Sequence, residues 1–193
     1  MEEAEERPGF YGIITFRDLF WKSQSDWHRL HNSDEQKRSY ALFDLVATLN
    51  HMWEWFLKDD EIDMAQRVEC ARRFNPYEKR KWVPREFMDF YETLCPFPPK
   101  NDRQSLIRMI CNRAKHATDK PKLSTLKTEA YLGAGDPRAV MGGPVAFCGY
   151  HVIVTSNLAE TDGGVLYDVK VVCEDLRIEW GDFLKSTGLL IRG

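Results

Sequence analysis

Asn101-Asp102-Arg103-Gln104-Ser105-Leu106-Ile107-Arg108-Met109-Ile110-Cys111-Asn112-Arg113-Ala114-Lys115-His116-Ala117 reads as one amphipathic helix. Asn101 followed three residues later by Gln104 is a start signal, because a side-chain oxygen at the cap takes a backbone N–H that the first turn leaves open. Leu106, Ile107, Ile110, Ala114 and Ala117 recur at steps of three and four and define a buried side. His116 falls nearly opposite the centre of that side. Asn112, Met109 and Ser105 share its strip, and Arg113 and Arg108 flank it. Asp119-Lys120-Pro121 then stops the helix, since proline has no N–H to donate.

The same signals recur upstream. Thr15 with Asp18 predicts a helix from Phe16 to His31, and Ser33 with Gln36 opens a second. The apolar stripe of the second is Leu42, Leu45, Val46, Leu49, Trp53 and Phe56. Opposite it run Asp44, Thr48 and His51, continued by Glu54 and Trp55, a strip that suits either a second copy of the chain or solvent. A third helix is expected from Glu61 to Arg73, closed by Asn75-Pro76. Pro84 suits the first turn of a fourth that runs through Leu94.

After Pro121 the pattern changes. Gly133-Ala134-Gly135-Asp136 through Gly142-Gly143-Pro144 reads as a connection and lacks the lysine ending of a phosphate-binding loop. Val145 to Ser156 and Val165 to Cys173 alternate as strands do, with Asp162-Gly163-Gly164 as the turn between them. Leu176, Trp180, Phe183 and Leu184 suit a short last helix, although the alternation Leu176, Ile178, Trp180 leaves a third strand open. The expected fold is mainly α. An acidic tail (1–9) precedes an up-and-down helical bundle (10–120), and a C-terminal β-hairpin with a short terminal helix (121–193) packs on the same domain.

Composition narrows the function. Glu2, Glu3, Glu5 and Glu6 against Arg7 already make the whole net charge of −3, so the remaining body is neutral and has no global basic field. No apolar run reaches the roughly 18 residues of a membrane span. Five cysteines without C-x-x-C spacing fit reduced thiols in the cytoplasm. His28 and His31 are helix neighbours without a companion acidic or thiol ligand, so neither metal nor cofactor is expected. One local stretch is basic with interleaved aromatics: Arg72-Arg73-Phe74-Asn75-Pro76-Tyr77-Glu78-Lys79-Arg80-Lys81-Trp82, with Arg85 beyond it. Arg and Lys pair with phosphates and rings stack on bases, so Arg72, Arg73, Lys79, Arg80, Lys81, Trp82 and Arg85 are candidate nucleic-acid contacts.

A helical bundle with Asn-x-x-x-His late in one helix resembles the HEPN superfamily, the ribonuclease and partner-binding helical domains of prokaryotic toxin and phage-defence systems. Ala41-Leu42-Phe43-Asp44-Leu45-Val46-Ala47-Thr48-Leu49-Asn50-His51-Met52-Trp53-Glu54-Trp55 is similar to a segment of small HEPN-like bacterial proteins. The family's catalytic pattern is arginine, a polar residue, three further residues, then histidine. Asn112 and His116 match the last two elements, and Cys111 stands where the arginine would be. The resemblance implies a homodimer burying the fifth helix, with Met109 and Asn112 in or beside the contact. It also implies one of two functions. The first is a dimerising module that binds a protein partner or nucleic acid, its catalytic motif departed. The second is a metal-independent ribonuclease, with His116 as the base and Arg113 or Arg108 as the cation that steadies phosphorane charge.

Overall fold

The computed structural model describes residues 13–116, 130–132, 146–148, 151–154 and 165–190. For some of these, among them 113–116 and 165–167, only the backbone is described. The acidic tail, the glycine-rich connection and the turn at 162–164 lie outside the described residues.

Helix α1 (Phe16–Asn32) begins on the capping box read from the sequence: Asp18 N donates to Thr15 Oγ1, and the Asp18 carboxylate accepts from Thr15 N at 2.8 Å. Helix α2 (Glu35–Lys58) starts on Asp34, whose carboxylate accepts from Lys37 N at 3.0 Å, one residue later than the Ser33 signal implied. Helix α3 (Met64–Phe74) is opened by a second reciprocal box, Asp63 with Gln66, and not at Glu61. A single 3-10 turn (Arg80–Trp82) leads to α4 (Arg85–Glu92), which follows Pro84. Helix α5 (Asp102–His116) has Asn101 as its cap, accepting from Gln104 N at 2.9 Å.

Among the described residues four short segments are extended: β1 (Ala130–Leu132), β2 (Ala146–Cys148), β3 (His151–Val154) and β4 (Val165–Asp168). They form two separate antiparallel pairs, β1 with β2 and β3 with β4. Helix α6 (Val169–Ser186) closes the described chain. The expectation of a bundle ending in a β-hairpin and a short terminal helix is therefore corrected. What read as one strand over Val165–Cys173 turns helical at Val169, and the terminal helix is 18 residues long. The reason lies in Asp168 and in the core. Its carboxylate accepts from Lys170 N (2.9 Å) and Val171 N (3.4 Å), the geometry of a helix start. Val169, Val172, Cys173, Leu176, Trp180, Phe183 and Leu184 then fall on one buried helical face. The region left open as helix or strand, 174–186, is helix throughout.

Helix α6 packs against α1, α2 and α5, and α2 lies against α1, α3 and α5. At the centre Trp180 stacks on Phe74 with centroids 3.8 Å apart, and Phe56 and Phe183 surround the pair. Among the described residues no helix is long and apolar enough to cross a membrane.

Candidate nucleic-acid interface

The end of α3, the segment that leads to the 3-10 turn, α4 and the loop before α5 are joined by one residue, Asn75. Fully buried, it donates from Nδ2 to the carbonyls of Tyr77 (2.8 Å) and Pro98 (2.7 Å), and its Oδ1 accepts from Tyr77 N and Tyr91 Oη, both at 3.1 Å. Its own carbonyl accepts from Asn101 N at 2.7 Å, which places the first turn of α5 against the end of α3. In the sequence Asn75-Pro76 reads as a helix stop inside the basic stretch. A buried asparagine that satisfies four backbone or side-chain groups is instead the element that fixes the course of the basic segment.

That segment divides into inward and outward residues. Phe74 and Tyr77 are buried, so two of its interleaved aromatics belong to the core. Arg73 is half-buried between the rings of Phe74 and Phe183 and ion-pairs with Glu179 at 3.5 Å, a structural position. Arg80 anchors the turn: it donates to Leu94 O at 3.1 Å and lies 5.8 Å from the Phe97 ring centroid. Arg72, Lys79, Lys81 and Arg85 are exposed, and Trp82 is 45% exposed. Lys79 Nζ lies 5.5 Å from the Trp82 ring centroid and 3.7 Å from Glu78. From Arg72 to Arg85, Glu78 is the one exposed acid against five exposed cations, Arg80 included. Beyond Arg85, exposed Asp89 and Glu92 continue the same strip of α4, so the positive surface stops there.

On α5 the fate of the family-like positions differs. Leu106, Ile107 and Ile110 are buried as expected, and Cys111 is 2% exposed inside the same core. A thiol fits there; a guanidinium would have to give up its hydration or leave the core. Asn112 and Met109 are half-buried, Met109 against the core of its own chain. The backbone of Arg113 and His116 completes the helix, and their side chains lie outside the described residues. Arg108 turns toward the basic segment, its guanidinium carbon 4.9 Å from the Tyr77 ring centroid. Of the candidate catalytic residues whose side chains are described, Arg108 is the one that touches the basic segment.

Beside Arg108 stands a pair that the sequence offered only as part of a polar strip. His51 Nδ1 lies 3.4 Å from Glu54 Oε2. The hydrogen bond from His51 holds the Glu54 carboxyl below its usual range against the desolvation of a half-buried site, and the charges of His51, Lys58 and Arg108 pull the same way. Burial pushes the Tyr77 phenol up to about 12, with Arg108 opposing. The arrangement offers a fixed carboxylate, an imidazole and a guanidinium near a neutral phenol. The other half of the strip belongs elsewhere. Thr48 Oγ1 donates to buried Asp26 at 3.0 Å, Lys22 donates to Thr48 at 2.9 Å, and Arg29 bridges Asp26 and Asp44. Asp44 and Thr48 thus belong to the α1–α2 contact, with Thr48 buried and Asp44 half-exposed at its edge. His31 lies on Trp27, with Nδ1 2.9 Å from the Trp27 carbonyl oxygen.

Comparison of this chain with protein-family models, with curated proteins and with solved structures finds no match.

Proposed function

We propose that this chain is a HEPN-like cytoplasmic module that dimerises and binds nucleic acid without cleaving it. The observation that carries the reading is the inversion of its cations. At the spacing where the family it resembles keeps a guanidinium, Cys111 is buried in the core, whereas Arg72, Lys79, Lys81 and Arg85 stand exposed on the turn held by Asn75. Phosphate contacts need exposed cations, and phosphorane chemistry needs one fixed at the scissile group.

A second reading is the metal-independent ribonuclease, and the position of Arg108 favours it. Its half-buried guanidinium, next to Glu54 and His51 on the strip that leads to Asn112, supplies a cation to the face of α5. Single substitutions His116→Ala, Arg113→Ala and Arg108→Ala, assayed on structured RNA without metal, separate the two. Under the first reading the wild type leaves RNA intact while retaining it in a gel shift. Cleavage by the wild type that any of the three abolishes, with melting unchanged, establishes the second. The dimer is tested by sedimentation at micromolar concentration, where a monomer removes the expected contact through α5.

A further inference from the structure

We infer that the turn Lys79–Arg85 prefers single-stranded to double-stranded nucleic acid, with Trp82 as the platform on which a base stacks. The inference rests on the nucleic-acid reading above and adds the class of strand.

Trp82 is the starting point. An exposed ring among exposed cations combines the two features that bind a single strand, a stacking face and a charged track for the backbone. The other exposed large apolar side chains described, such as Trp21, Tyr40 and Ile178, lie outside this basic turn. A duplex offers such a ring little to stack on, because its base faces are already stacked on one another. A single strand leaves those faces open, and ring stacking tolerates every base.

The platform is also preorganised. Trp82 N donates to Lys79 O at 2.9 Å and Val83 N to Arg80 O at 3.0 Å, while buried Val83 and the Arg80–Leu94 bond pin the turn from beneath. Little backbone freedom remains to be lost on binding. Lys79 beside the ring and Lys81 next in the chain give the phosphates of a stacked nucleotide two cations, and Arg85 a third. Asp89 and Glu92 close the path on α4, which makes the site short. Three phosphate contacts at about 0.7 counterion each give a salt slope of roughly −2 for a single strand.

The test is fluorescence anisotropy of the full-length protein with a labelled oligo(dT) of about 16 nucleotides and with a mixed-sequence duplex of equal length. The variants are Trp82→Ala, Trp82→Phe and the double substitution Lys81→Glu/Arg85→Glu. The single strand is expected to bind more tightly. Trp82→Ala should weaken it about tenfold, within the range of one base–aromatic stack, and leave duplex affinity unchanged. Trp82→Phe should keep most of the affinity, and the double substitution should remove both. Equal wild-type affinity for the two probes, or an equal loss of both in Trp82→Ala, overturns the strand preference and leaves the nucleic-acid reading in place. Single-strand binding that survives the double substitution puts the site elsewhere and also overturns it. Binding of neither probe takes down the nucleic-acid reading itself.

Discussion

Asn75 and Tyr77 show how much one side chain decides. Replacing Asn75 by alanine leaves the carbonyls of Tyr77 and Pro98, the Tyr77 N–H and the Tyr91 hydroxyl without their partner. Four groups losing one partner each cost on the order of 3 kcal/mol or more together, measurable as a shift of the urea midpoint. Asn75→Asp should be no better despite its shape, because a carboxylate has no N–H for the two carbonyls and would bury a charge. Tyr77 gives a pH signature. Burial keeps its phenol neutral up to about 12, whereas an unfolded tyrosine ionises near about 10. Between those values the folded chain holds the proton that the unfolded chain has released. The stabilisation is thus complete below pH 10 and is lost as pH rises toward 12. Melting temperature should fall steeply over that window. Tyr77→Phe, which keeps the ring under Arg108 and against Trp53, should flatten part of the fall. Burial raises the Tyr91 phenol as well, so a remnant is expected to persist.

Individual elements were legible where the signal was local. Thr15 with Asp18, Asn101 with Gln104, and Pro84 state their helix starts in the sequence because a cap needs only a few neighbouring residues. Helix α6 was legible only in its later turns, through Leu176, Trp180, Phe183 and Leu184; its start was not, because Val165, Tyr167, Val169, Val171 and Cys173 satisfy a strand period up to and past Asp168. That Val169, Val172 and Cys173 continue the helical face of Trp180 and Phe183 shows only once all of them are seen to share one core. One glycine inside this helix offers a clean check. A Cβ built on Gly181 would meet Phe20 of α1 at 3.6 and 3.8 Å, ordinary contact distances. Gly181→Ala should therefore be accepted at the α1–α6 contact and stabilise by about 0.5–1 kcal/mol, the helix-propensity difference, read as a raised melting temperature. A loss of stability there would mean that α1 and α6 approach more closely than these distances state.

For the whole molecule, α6 is a wall of the core and not an appendage to a finished bundle. Trp180 stacks on Phe74, and Phe183 reaches Phe56, so α2, α3 and α6 share one aromatic centre. Trp180→Ala should cost about 3–5 kcal/mol. Ending the chain after Asp168 should abolish cooperative unfolding, since the buried side chains of α6 at about 2 kcal/mol each together rival the entire stability of a domain, about 5–15 kcal/mol. A truncated chain that still melts sharply would show α1 to α5 to be self-sufficient. The sequence by itself determined that the chain is mainly helical, where most helices begin, and which stretch carries clustered cations. Caps, periods and charges act over one or two turns and need no partner. Only the tertiary structure decided that Asn75 is the hub of the basic turn, that Cys111 is sealed in the core, that Arg108 leans on Tyr77 beside Glu54, and that Val169 onward is helix. Each of these depends on groups far apart in the chain arriving at one place, and burial against a distant surface can overrule any local pattern.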